Sequence, residues 1–543
     1  MKIVTLQGQT FACFCAVSLL LCCGKSVEAR QNIVTGEISA SYDHQERNYD
    51  DSGLVAESSD ADGGEIVAAE VGDTASVVGP TVIVLEDRRG DRQRYILAPR
   101  VTFSSIGIKD LFELTYSPAL NYDHLGETTD LDHDFGLLAE RSITRNWSVS
   151  LGNRFFLGDD PVREEEFRTA VIVPETGEPV VEEPAVVPPG EEAEGTLTEQ
   201  FGRRRFWTNS LDLTTDYDYG ADRAISAGYT FEVLRDDDSD AVGGYTDYDR
   251  HIGVLSMDHR FNQRWSADGE ARYSKGLFDE PDVFVVTPVV EDSIQVDQIT
   301  GTGSDDLAEY NFRIRGGYDT SPRLHFFTEY SYLKTDYDAD IREDYNVNNV
   351  ALGVDYDINR HLHVTLSGGP SWGSFENSPT ETDYNAYAGL TWDYLHGALT
   401  FFVDKGYDQS NFDGRRSGLT DFWRTGIALD YQLTPALSAT ISAGYRDNRR
   451  LQYSTPQTIV IVDDGQPAPI GQLSSEELDR IEYTEKDSDA GFSLAYTFLR
   501  WYTISGGYRY YDHDSDQVEG GSGSYDEHRA FIQLAVTKEL FRW

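Results

Sequence analysis

Arginines recur along the chain at positions flanked by apolar neighbours: Arg100, Arg154, Arg272, Arg313, Arg315, Arg424, Arg446 and Arg509. Acids share their phase of the alternation at Asp268, Glu270, Glu309, Asp355, Asp393 and Asp430. Guanidinium and carboxylate groups on one face of extended chain can do two things. They can form a charged constriction that selects anionic or sugar-like solutes, or they can pair across strands and stiffen a wall. Three runs of alternate carboxylates (Asp130, Asp132, Asp134; Asp336, Asp338, Asp340; Asp512, Asp514, Asp516) have spacing that suits oxygen ligation of calcium. They lack the Gly at six and the Glu at twelve of a helix-loop-helix site, so solvated acidic segments are expected and no bound metal. No G-x-S-x-G, H-E-x-x-H or phosphate-binding glycine loop is present. The 11 histidines are scattered, with His361 and His363 beside a turn. No catalytic residues and no cofactor are expected, and the chain does not read as an enzyme.

What must position these charges is a set of strands. The pattern is period-2 alternation over almost the whole length. Residues Trp423, Thr425, Ile427, Leu429 and Tyr431 share one face, and Arg424, Gly426, Ala428 and Asp430 the other. Leu437 to Tyr445 and Tyr384 to Tyr394 repeat it. The apolar faces carry aromatics at both ends (Tyr384 with Trp392 and Tyr394, Trp423 with Tyr431, and Tyr445), with small or aliphatic residues between. An apolar face with aromatic girdles and a polar, charged opposite face belongs to a membrane barrel with a wet lumen. A soluble barrel has the reverse. The recurring Tyr-Asp pairs (Tyr122-Asp123, Tyr318-Asp319, Tyr337-Asp338, Tyr356-Asp357, Tyr407-Asp408) then read as a ring at the interface beside a carboxylate in water.

Connections alternate in length. Short turns fall near 107–110, 144–146, 220–222, 262–264, 320–322, 359–361, 396–397, 434–435 and 500. Longer acidic loops lie near 47–92, 123–131, 158–200, 235–248, 279–306, 338–345, 374–382, 408–420, 450–483 and 512–527. Counted together they predict an all-β, antiparallel up-and-down transmembrane barrel of about 20 strands (18–22) with both termini on the short-turn side. Apolar runs interrupt four loops, at 82–85, 171–173, 283–286 and 459–462; they fit either hairpins that extend the strands or a layer that caps the pore. The organisation expected is a signal peptide over 1–29, a first strand and long acidic loop over 30–92, and the rest of a single barrel over 93–543. Its insertions are 158–200, 279–306 and 450–483.

Composition agrees. Of 543 residues, 94 are Asp or Glu against 45 Lys or Arg, a formal charge of −49, which excludes a nucleic-acid partner for want of a basic stripe. Tyr (32) and Gly (48) are abundant and Met (2) is rare, as many strands and turns require. Beyond the N-terminus no apolar run approaches the ~18 residues of a transmembrane helix. Lys2, the apolar run Phe11–Leu21 and Val27-Glu28-Ala29 read as an export signal cleaved after Ala29, with lipidation at Cys22 or Cys23 as the alternative. Cleavage removes all four cysteines, Cys13, Cys15, Cys22 and Cys23. The chain ends on Phe541 and Trp543, an aromatic finish of the kind barrel assembly machinery reads. Two registers compete for this last strand: one ending on Trp543, the other running Ile532, Leu534, Val536, Lys538, Leu540.

The segments "FELTYSPALNYDHL…DHDFGLLAERSITRNWSVSLGNRFFLGDDP" at 112–161 and "DYQLTPALSATISAGYRDN" at 430–448 resemble the outer-membrane β-barrel porin-like family (β-barrel porin type 2) often encoded with exopolysaccharide genes. The resemblance covers most of 93–543 and rests on strand and turn patterns, so it supplies no site residues. It implies integral residence in a Gram-negative outer membrane and a role in polysaccharide export. The partners expected are outer-membrane lipid and lipopolysaccharide, the barrel assembly machinery and polysaccharide secretion components. A passive porin-like channel or polysaccharide conduit is the expected function. The alternative is a loop-plugged barrel for surface display, adhesion or sheathing a partner such as a cytochrome.

Overall fold

The computed structural model describes residues 30–49, 92–158, 205–236, 247–278, 282–289, 293–300, 306–338, 344–375, 380–410, 418–453, 480–515 and 524–543. Alternating apolar and polar side chains suit a pleated surface with two different environments, and every described segment forms strand. In chain order these are β1 (Gln31–Tyr49), β2 (Arg92–Ile106), β3 (Asp110–Asp123), β4 (Thr128–Thr144), β5 (Trp147–Gly158), β6 (Phe206–Gly220), β7 (Arg223–Asp236), β8 (Tyr248–Arg260), β9 (Trp265–Phe278), β10 (Asp282–Val289) and β11 (Ser293–Thr300). They continue with β12 (Leu307–Ser321), β13 (Leu324–Tyr337), β14 (Tyr345–Asn359), β15 (Leu362–Phe375), β16 (Glu381–Tyr394), β17 (Gly397–Ser410), β18 (Gly418–Thr434), β19 (Leu437–Tyr453), β20 (Arg480–Phe498), β21 (Tyr502–Ser515) and β22 (Tyr525–Arg542).

Twenty of these form one sheet in which each strand pairs antiparallel with its chain neighbour, and β1 also pairs with β22. The sheet therefore closes on itself, leaving no free edge. Strands β10 and β11, which carry the apolar run at 283–286, form a separate two-stranded hairpin, and β9 pairs directly with β12. The other three apolar loop runs, the signal segment 1–29 and all of 50–91 and 159–200 lie outside the described residues.

The outer phase is set by large apolar side chains left open to the surroundings, such as Leu255, Leu352 and Ile441. Aromatics bound it. Trp265 and Tyr273, Tyr310 and Tyr318, Tyr384 and Trp392, and Trp423 and Tyr431 are each eight residues apart on one strand, or ~26 Å along it and ~20 Å once a barrel tilt is allowed for. The rings meet across strands at both levels: Trp265 with Tyr318 at 4.6 Å and Tyr394 with Tyr431 at 5.9 Å below, Tyr273 with Tyr310 at 5.2 Å and Trp423 with Tyr445 at 5.5 Å above. Two belts border this face, at a spacing near the ~25 Å apolar band of an outer-membrane barrel. No helix among the described residues is long and apolar enough to cross a membrane, and the strands are what would cross.

At the short-turn end, the turn of each hairpin is tied to the barrel strand that follows the hairpin. Lys109 O accepts from Ser142 N at 2.7 Å, Arg264 O from Asp319 N at 2.7 Å and Ala436 O from Thr497 N at 2.8 Å, and the other short turns do likewise. Register shifts at Ser142/Thr144, Asp218/Gly220, Asp319/Ser321, Asp357/Asn359 and Gln432/Thr434 sharpen the bend just before or after the turn. The last strand uses both candidate registers. Ile532, Leu534 and Val536 face out, a shift opposite Val34/Thr35 absorbs one residue, and Phe541 then also faces out, paired with Val34. Trp543 closes the seam through mutual backbone hydrogen bonds with Asn32 at 2.9 and 3.0 Å and packs on Phe103.

Candidate functional site: the barrel lumen

The inner phase of the ladders makes the lumen wall. All fourteen charged positions singled out from sequence lie on it: Arg100 opposite Glu37, Arg154 opposite Gly136, Arg272 opposite Asn311, Arg313 between Glu270 and Ser331, and Arg315 between Asp268 and Glu329. Arg424 lies between Asp404 and Arg446, and Arg509 between Gly491 and Arg529. Glu309, Asp355, Asp393 and Asp430 occupy the same phase on β12, β14, β16 and β18.

Several of these arginines bind their head groups back to the wall. Arg315 lies 3.6 Å over the Phe327 ring and 3.3 Å from Glu329. That ring lies flat because Gly353 faces it across the ladder, where a Cβ would collide with the ring edge. Arg424 holds Asp404 through Nε (3.1 Å) and Nη2 (2.9 Å), between the rings of Phe402 and Phe422. Arg446 reaches Asp408 (3.2 Å) and Asn448 (2.6 Å) and lies over Phe422. Arg154 stands 3.5 Å from Asp134. These are wall-stiffening pairs with cation–π support.

The lumen face is not polar throughout, as alternation alone suggests. At the long-loop end it turns apolar: Phe156, Phe206, Leu234, Tyr248, Phe278 and Leu307, from six successive barrel strands, form one buried cluster, and Tyr345, Val347, Phe375 and Leu419 another. Tyr337 packs against both, so this Tyr-Asp pair has the reverse orientation to the girdle pattern: its ring faces in and Asp338 faces out to Lys275 at 2.8 Å. The opposite half of the same end is a buried charge network. Asp43 accepts from Arg94 at 2.7 Å and from Arg529 at 2.9 and 3.0 Å, which joins β2, β1 and β22 at the seam. It lies above Tyr42, past which the outer phase of β1 turns polar at His44, Glu46 and Asn48. Burial by itself raises the Asp43 carboxyl, but the two guanidiniums hold it below the usual carboxylate range.

Beside the second cluster the wall folds inward. The β16–β17 ladder stops at Ala386 and Lys405, although both strands continue, while β17–β18 stays paired to Ser410 and Gly418. Leu419 belongs to the outer phase of β18, yet it is 1 % exposed and packs with inner-phase Tyr345, Val347 and Phe375. Tyr407, also of the outer phase, joins them. Lys405 bridges Asp383, inner phase, at 2.5 Å and Asp421, outer phase, at 2.8 Å. Both facts require the end of the β17–β18 hairpin to lean over the lumen, its back against the inner wall of β14 and β15. Above the belt, burial raises the Asp421 carboxyl despite Lys405, and it raises the Tyr407 hydroxyl with help from Asp421 and Asp383.

Among the described residues no group of three or more His, Cys, Asp or Glu is arranged for a metal ion; Asp340 and Asp516 of the carboxylate runs lie outside the described residues. Asp132 instead accepts from Asn121, Asp336 from Lys334 and Asp338 from Lys275. Sequence reasoning missed the seam triad Asp43–Arg94–Arg529, although each residue sits on the inner phase of a recognisable strand.

No protein-family model matches the chain, and no curated protein does. Among solved structures it is similar to OpdL of Pseudomonas aeruginosa, with 11% identity, coverage of 94% of this chain and 99% of that one, and a TM-score of 0.38. It is similar also to the FrpB iron transporter of Neisseria meningitidis (8%, 92% and 82%, 0.47) and the siderophore receptor PirA of P. aeruginosa (9%, 93% and 80%, 0.43). None of the scores reaches 0.5, and the barrel rests on its own ladders.

Proposed function

We propose that the chain is an integral outer-membrane channel of a Gram-negative bacterium, exported on a cleaved N-terminal signal and working by passage of solute with no reaction of its own. The observation that carries this is the combination of one closed 20-stranded sheet, two aromatic belts outside and a charged inner wall. Arginine heads pinned to the wall leave the lumen centre to water. Inner-phase residues at the long-loop end such as Phe206, Leu307, Asp43 and Arg94 are buried, whereas Arg100, Asp216 and Asp258 nearer the short turns stand open. The finer proposal is a conduit for exported polysaccharide, supported by the carboxylates and hydroxyls of the inner wall, which can replace water around a sugar. Lipopolysaccharide, the assembly machinery and secretion components are the partners proposed with it.

The burial at the long-loop end also favours a second reading, a plugged barrel that displays loops or holds a partner. Single-channel recording from the refolded barrel in a planar bilayer separates the two. Steady conductance supports the channel; a silent barrel of correct β-structure supports the plugged scaffold.

A further inference from the structure

Four hairpins around the barrel repeat one device near the short turns. Ser104 donates to Glu113 (2.9 Å) across β2–β3, Ser226 to Asp216 (2.6 Å) across β6–β7, Thr365 to Asp355 (2.8 Å) across β14–β15, and Thr440 to Asp430 (2.7 Å) across β18–β19. Each carboxylate lies three or four residues from the turn end of its strand, on the inner phase, so the four stand at one level of the lumen. A hydroxyl fixes a carboxylate's direction without cancelling its charge. Among the described residues no Lys or Arg pairs with these four.

Each base nearby has an acid of its own beside it, Arg100 facing Glu37 across the ladder. Arg260 is held by Asp319 at 2.6 Å and Arg315 by Glu329, while Arg313 faces Glu270 in the ladder. The turn bases lie at the rim beyond the ring, and one of them, Arg264, reaches outward to the Tyr318 hydroxyl. Strands β6 and β14 carry carboxylates and no base on their inner phase. The lumen field at this level is therefore negative, the opposite of what the arginine set alone suggests.

We infer that Glu113, Asp216, Asp355 and Asp430 form a hydroxyl-braced ring that makes the pore prefer small cations over anions. The inference rests on the channel reading and names the solute class of that same lumen. The test is the reversal potential of the refolded full barrel in a planar bilayer under a potassium chloride gradient. Potassium is expected to pass about threefold or more better than chloride at low salt, with the preference shrinking near 1 M as the screening length drops to ~3 Å. The quadruple variant Glu113→Gln, Asp216→Asn, Asp355→Asn, Asp430→Asn is expected to bring the ratio near unity. Thr365→Val with Thr440→Val, which keeps the charges, is expected to leave it in place. Should the quadruple variant not fold, the single Asp216→Asn at an exposed position is expected to lower the ratio measurably. A conducting wild type that prefers chloride, or a ratio indifferent to these carboxylates, overturns the ring. A folded barrel with no conductance overturns the channel, and the ring with it.

Discussion

Replacing Asp43 with Ala tests what holds the seam closed. One carboxylate, 1 % exposed, satisfies two guanidiniums whose side chains are 6–7 % exposed, and the three groups belong to β1, β2 and β22. Loss of the acid leaves two buried positive charges facing each other without their shared partner. Breaking a buried pair by removing one member costs about 3–5 kcal/mol, and here two pairs share the one residue. The expected result is a fall of at least about 3 kcal/mol in unfolding free energy, read as the urea midpoint of the barrel folded into lipid vesicles. Asp43→Asn keeps the shape and loses the charge, so it tracks the Ala variant. A change under about 1 kcal/mol in both variants would refute the seam argument, because that is the size of an exposed pair.

The sign of the pH dependence follows from the lowered carboxyl. A depressed carboxylate contributes stability that is fully present above its unfolded value near 3.9 and is lost as pH falls through its folded value. The gap between wild type and Asp43→Asn is therefore wide at pH 7 and narrows below about pH 4.

Other sites make separate predictions. Leu419→Asp puts a charge into the cluster of Tyr345, Val347 and Phe375; it is expected to release the leaning β17–β18 hairpin and raise single-channel conductance, and an unchanged conductance counts against a constriction there. Gly353→Ala drives a methyl group into the Phe327 ring, so a loss of about 1–3 kcal/mol in vesicle unfolding is expected, together with greater reactivity of Arg315 toward a guanidine-modifying dicarbonyl. Leu499 and Arg500 both hold positive φ, 53° and 64°, in the β20–β21 turn. Arg500→Gly is expected to raise stability by up to about 1 kcal/mol.

Much of the barrel was legible because a strand between lipid and water writes its two environments into alternate residues. Trp423 to Tyr431 shows both faces in nine positions, and that local code places Arg424 and Asp430 on the inner wall. The girdle candidates Tyr384, Trp392, Tyr394, Trp423, Tyr431 and Tyr445 share the outer phase of their strands. The local code could not tell Tyr337 from Tyr318. Both precede Asp, but Tyr318 ends a strand at the short turn and Tyr337 ends one at the long-loop side, with its ring facing inward. The register of β22 failed for a different reason: the sequence supports two phases because the strand uses both, on either side of one bulge.

Who pairs with whom is the part that alternation does not encode. Asp43 and Arg529 are 486 positions apart and meet only because the barrel closes. The hairpin carboxylates are the instructive contrast. Ser226 and Asp216 are ten positions apart, as are Thr365 and Asp355, and Thr440 and Asp430, and each pair is read across one short turn. That spacing is written in the sequence, yet it becomes a ring only when strands far apart in the chain are curved round a common axis. An arginine-lined wall was the natural reading of the sequence, because an isolated arginine among apolar residues stands out and an acid near a turn does not. The lumen field depends on which charges have been answered, and the pinned arginines have been, by Glu329, Asp404 and Asp408, while the four acids near the short turns have only hydroxyls.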